Sequence, residues 1–98
     1  MKRDIALARL RPLERRLRQQ GVSALYLFGS TARDDAKEGS DLDLVFDVEP
    51  GKRLSLFDQA ELTTELSKTV GTGVDFILRT ELHPYLKPRI ESELLRVF

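Results

Sequence analysis

The chain has 98 residues, enough for one domain with a modest core and too few for a second, substrate-binding domain. It has no cysteine, which excludes disulfides, thiolate nucleophiles and thiolate metal sites. Sixteen Lys/Arg balance sixteen Asp/Glu, and a formal net charge of zero argues against general nucleic-acid binding.

The basic residues are nonetheless uneven, with seven Lys/Arg against two acids in residues 1–20. This segment reads first as a solvated helix face and second as a docking or phosphate-binding surface. Ala6, Leu10, Leu13 and Leu17 recur at helical spacing up to Gln20, and Gly21 stands where a C-cap glycine would. Pro12 cannot donate to the carbonyl of Ala8, so one helix with a kink is expected. The same N-terminal stretch lacks the uninterrupted apolar core of a signal peptide, and no apolar run approaches the roughly 20 residues of a membrane span. A cytoplasmic protein is the expectation.

Ala24 to Phe28, ALYLF, reads as a short strand buried on both faces, with Tyr26 in the core. In GSTARDDAKEGS, Ser30 is placed to open a short helix and Gly39 to release the chain. The next strand, Asp41 to Val48, is ended by Pro50-Gly51. A helix follows from Ser55 to Val70 on Leu56, Ala60, Leu62, Leu66 and Val70. Gly71 and Gly73 make a turn, and VDFIL forms a strand from Val74 to Leu78. The last helix starts near Tyr85 or Pro88, with Leu86, Ile90, Leu94 and Leu95 as its apolar positions. The order α-β-(α)-β-α-β-α, without repeat or linker, predicts an α+β (α/β-like) fold: a small mixed sheet of three to four strands with helices packed on it.

The strand DLDLVFDV carries the informative conflict. Side chains alternate, so Asp41 and Asp43 share one face while Leu42, Leu44 and Phe46 share the other. Like charges held side by side repel unless a cation lies between them. Asp75 is a third polar intruder in an apolar strand. Three carboxylates on adjacent strands make an oxygen-rich site of the type Mg²⁺ prefers, with water and substrate phosphates completing the coordination. Gly29 lets a phosphate approach the backbone, and Ser30 offers amide and hydroxyl donors.

GSTAR, with ten residues from Thr31 to Ser40 before DLD and with Asp75 further on, resembles the signature of the DNA polymerase beta-like nucleotidyltransferase superfamily. Over nearly its full length the chain is similar to the minimal nucleotidyltransferases (MNT). The resemblance implies that Gly29 and Ser30 hold the nucleoside triphosphate, that Asp41 and Asp43 bind two Mg²⁺ ions, and that Asp75 completes the triad. It also implies a partner: such proteins are often antitoxins of a HEPN-domain ribonuclease toxin, transferring AMP from ATP to a toxin tyrosine. In that chemistry an acceptor hydroxyl attacks the α-phosphorus in line, with Asp75 placed to help take its proton. Arg33, part of GSTAR, either touches phosphate or pairs with nearby acids. A non-catalytic antitoxin that masks its toxin by binding is one alternative, and a nucleotidyltransferase acting on a small molecule or nucleic-acid end is another.

Asp34, Asp35 and Glu38 are expected to be solvated, and Asp47 lies beyond Val45, too far along the strand to join the metal pair. His83, the only histidine, precedes Pro84 in a loop or helix start and is expected to be structural or exposed; Tyr85 is expected at the surface. Neither a dinucleotide fingerprint nor a P-loop motif occurs.

Overall fold

The computed structural model describes residues 1–98. Strands β1 (Val22–Phe28), β2 (Leu42–Val48), β3 (Val74–Leu78) and β4 (Leu95–Arg96) form one mixed sheet in the order β3-β2-β1-β4. β1 runs antiparallel to both β2 and β4, whereas β2 and β3 are parallel. A parallel pair needs a crossover, and α4 (Leu56–Val70) supplies it.

Register decides which residues share a face. Leu25 pairs with Phe46 and Leu27 with Leu44; Leu42, Leu44 and Phe46 pair in turn with Val74, Phe76 and Leu78. These residues make one apolar face, on which Phe46 and Phe76 stack with ring centroids 4.0 Å apart. α4 turns Leu62, Leu66 and Val70, spaced by four residues, into the same core. Its ends follow helix chemistry: the Ser55 side chain accepts from the Asp58 amide at 3.0 Å, and Gly71 takes the left-handed conformation at φ 82°.

The N-terminal helical segment is interrupted at Pro12 as expected. α1 (Arg3–Leu10) and α2 (Glu14–Gln19) are joined by a single 3₁₀ turn over Arg11–Leu13. Ala6, Leu7, Leu10 and Leu17 reach the core. Several of its basic side chains are engaged within the chain: Arg9 donates to the Val70 carbonyl, Arg16 pairs with Glu65, and Arg18 pairs with Glu14. No helix is long and apolar enough to cross a membrane.

Three expectations are corrected. β1 is longer than ALYLF, and its two faces differ: Tyr26 is half-buried on the face opposite the main core, where its hydroxyl donates to Asp47 at 3.3 Å. The short helix α3 (Gly29–Ala32) begins at Gly29, so Ser30 sits inside its only turn rather than capping it. The final helix, α5 (Lys87–Ser92), has only six residues and buries none of them. Leu95 belongs instead to β4, opposite Leu27. Pairing with the free edge of β1 outweighs the helical spacing of Leu94 and Leu95, because a long-range partner overrides a weak local preference.

Candidate active site

The second face of the sheet carries the acids. Asp43 of β2 lies in register with Phe28 of β1 on one side and Asp75 of β3 on the other. The two carboxylates are therefore neighbours across a parallel pair, level with the end of β1 where the chain turns into Gly29. Asp43 is half-buried and Asp75 exposed. The Asp43 carboxyl is pushed above its ordinary value, first by burial, then by the adjacent Asp75 carboxylate, and then by the charge of Asp41; Arg33 pulls in the opposite direction.

Two glycines make room for these acids. Gly29 has φ 75°, and a Cβ there would come within 2.6 Å of Asp43 Oδ2, so both its backbone and its contact require glycine. Gly73 lies directly against Asp41 Oδ1, so a Cβ there would force the Asp41 carboxylate to move. The Leu42 amide donates to the Gly73 carbonyl at 2.8 Å, which ties the turn before β3 to the entrance of β2. Asp41 itself precedes the first residue of β2 and is exposed.

The structure thus sets Asp43 beside Asp75 with Asp41 as a near neighbour, while no three of the acids close into a preformed ligand cluster. The donor set is nevertheless of the kind a hard divalent cation takes. It is all oxygen, and both the burial and the neighbouring acids that raise the Asp43 pKa disfavour a charge that a cation would stabilise. With Asp41 and Asp75 exposed and Asp43 only half-buried, the acids stand on an open shelf.

Ser30 is half-exposed in the turn beside Asp43. Arg33, at the C-cap of α3, pairs with Asp35 at 3.4 Å and with Glu93 at 3.6 Å. Asp34, Asp35 and Glu38 are exposed, although Asp34 accepts a hydrogen bond from the Arg3 amide at 3.0 Å. Asp47 stands away from the acid pair, held by the forked guanidinium of Arg79, which also lies 5.1 Å from the Tyr26 ring centroid. His83 is exposed, and its Nδ1 accepts from the Tyr85 amide at 3.1 Å; Tyr85 is exposed. Sequence reasoning misses Gly73, the Asp47–Arg79 fork and Glu93. A glycine two residues before an acidic strand position is a usable signal for the first, whereas the other two depend on pairings far apart in the chain.

Residues 10–97 match the model of the nucleotidyltransferase domain. The chain belongs to that family. It is 41% identical over 81 residues to a Methanocaldococcus jannaschii protein named "Putative protein adenylyltransferase", covering 83% of this chain and 85% of that one. A solved structure of a "putative minimal nucleotidyltransferase" superposes with a TM-score of 0.81 at 32% identity, covering 97% of this chain and 95% of the other. The chain also superposes on one chain of a solved complex described as "tri-AMPylated Shewanella oneidensis HEPN toxin in complex with MNT antitoxin", with a TM-score of 0.70 at 17% identity, covering 95% of this chain and 71% of that chain, a likeness of fold. This nucleotidyltransferase therefore has the four-stranded mixed sheet of the minimal members, with its acids on the parallel pair.

Proposed function

We propose that this nucleotidyltransferase moves AMP from ATP onto a hydroxyl, a tyrosine in the first instance, of a HEPN-domain toxin, and so acts as its antitoxin. The observation that carries this reading is the in-register pairing of Asp43 with Asp75 on an open shelf beside Gly29 and Ser30. A shelf without walls suits an acceptor that brings its own surface, as a protein does. The names of the relatives support the same chemistry, both the protein adenylyltransferase and the AMPylated toxin bound to its antitoxin.

Asp41, Asp43 and Asp75 are the residues that would hold Mg²⁺, as two ions. When bound, the metal supplies charge neutralisation at the phosphates and eases deprotonation of the acceptor. Gly29 admits the triphosphate close to the backbone, Ser30 offers it a hydroxyl, and Arg33 offers a guanidinium fork. The acceptor oxygen bonds to the α-phosphorus as the bond from that phosphorus to the bridging oxygen breaks, and pyrophosphate leaves. Asp75, the more exposed of the paired acids, takes the acceptor proton.

The test is intact-mass spectrometry of the toxin after incubation with a substoichiometric amount of this protein, ATP and Mg²⁺. The expected result is a gain of one AMP mass or a small multiple, lost with Asp41→Ala plus Asp43→Ala. An unmodified toxin that is still inhibited at equimolar ratio would replace AMP transfer with simple masking.

A further inference from the structure

The C-terminal segment carries an acid into the site. β4 pairs with β1 so that Leu95 lies opposite Leu27 and Arg96 opposite Tyr26. Glu93 stands two residues before β4, at the C-cap of α5, where the chain turns to enter the strand. Its Oε2 lies 3.6 Å from Arg33 Nη1. Just upstream, α5 buries no residue, and its Glu91 is placed 3.8 Å from Arg79. α5 and the turn after it thus form a strap with an ion pair from Glu91 to Arg79 and one from Glu93 to Arg33.

We propose that Glu93 is a positioning residue that competes with the nucleotide's phosphates for Arg33. The inference rests on the phosphate role given to Arg33 above. Arg33 has one planar guanidinium. In the free protein that fork is shared between Asp35 and Glu93, both at distances longer than a tight charge-assisted bond. The Arg33 and Glu93 side chains are 51% and 37% exposed, so the pair is water-screened and weak enough to exchange. A triphosphate arriving beside Gly29 offers the same fork several oxygens and more charge, and Arg33 turns from Glu93 to it. Glu93 is then left as an unpaired acid near an anionic substrate, and its repulsion loosens the strap. Nucleotide occupancy is in this way transmitted to α5 and to the exposed Tyr85 and Leu86 ahead of it.

The experiment is a double-mutant cycle on Mg²⁺–ATP affinity by calorimetry, with Glu93→Gln, Arg33→Gln, the double variant, and Glu91→Gln as a control at the other pin. Glu93→Gln should bind about two- to five-fold tighter, the scale of one screened ion pair. Arg33→Gln should bind more weakly, the Glu93→Gln gain should vanish in the Arg33→Gln background, and Glu91→Gln should match the wild type. In hydrogen exchange, amides of residues 87–96 should open on adding Mg²⁺–ATP to the wild type and be already open in Glu93→Gln. Unchanged or weaker binding by Glu93→Gln overturns the competition, as does a gain that persists without Arg33, which would mark a diffuse charge effect. Wild-type affinity in Arg33→Gln would instead remove the phosphate role of Arg33 itself, and the competition with it.

Discussion

Replacing Asp43 with asparagine should make the metal-free protein more stable while abolishing transfer. Asp43 faces Asp75 in register across strands, and neighbouring strands lie about 4.8 Å apart. Two unit charges about 5 Å apart repel by about 1 kcal/mol in a water-like medium and about 3 kcal/mol at the effective dielectric of a partly buried site. Because Asp75 is exposed and Asp43 only half-buried, the lower figure applies, and about 1 kcal/mol corresponds to about 4–8 °C in Tm for a domain of this size. The pH dependence has a definite sign. The folded-state pKa of Asp43 is raised, so the folded protein keeps that proton longer than the unfolded chain does. The penalty is absent below about pH 4, near the unfolded aspartate value, and complete above the raised folded value. The stability gap between the Asp43→Asn variant and the wild type should therefore open as pH rises from about 4. Thermal melts in EDTA across that range measure it, and excess Mg²⁺–ATP should invert the order by stabilising only the wild type. A metal-free Asp43→Asn protein that melts below the wild type at neutral pH would refute the reasoning and make the acid pair structural.

Other perturbations test the surroundings of the pair. Gly29→Ala places a Cβ against Asp43 Oδ2 at a left-handed backbone position; it should cost about 1–2 kcal/mol of stability from the backbone alone and should impair activity by displacing Asp43. Asp47→Ala removes the fork on Arg79 and should cost about 1–2 kcal/mol in a urea melt, with Mg²⁺–ATP affinity unchanged if Asp47 stands outside the metal site. Phe46→Ala removes a fully buried ring stacked on Phe76, and a loss of about 3–5 kcal/mol should leave little folded protein at physiological temperature, as far-ultraviolet circular dichroism would show. Calorimetry should find ATP bound clearly better with Mg²⁺ than in EDTA, because acids alone repel a triphosphate; equal affinities would remove the metal-bridged site.

The most legible parts of the sequence were those in which local pattern and tertiary role coincide. VDFIL is a strand with the bounds its composition suggests, and Ser55 and Gly71 frame α4 as a cap and a left-handed stop. Alternation alone predicts a shared face for Asp41 and Asp43, but β2 starts at Leu42 and leaves Asp41 at its threshold, turned to Gly73. Tyr26 was misread because a run of apolar neighbours does not tell which face of a strand meets a core. β4 was misread as helix because two residues carry too little pattern to announce a strand whose partner lies about 70 positions away. Glu93 was invisible for the same reason. Its place beside Arg33 exists only once the first and last strands have met.

The alternation in β2 also bears on how the chain avoids folding wrongly. Even-numbered Leu42, Leu44 and Phe46 are buried to within 1% of complete, while odd-numbered Asp43 and Asp47 face the other way around Val45. A slip of one residue in pairing would send two carboxylates into the core and push two leucines and a phenylalanine into water, a double cost far larger than the net stability of a domain this small. Variation at Asp43 and Asp47 can retune chemistry without repacking the interior, whereas the fully buried Val45 between them belongs with the even positions, where variation retunes packing. The charges that burden the free protein thus also act as an error check on the strand that bears them.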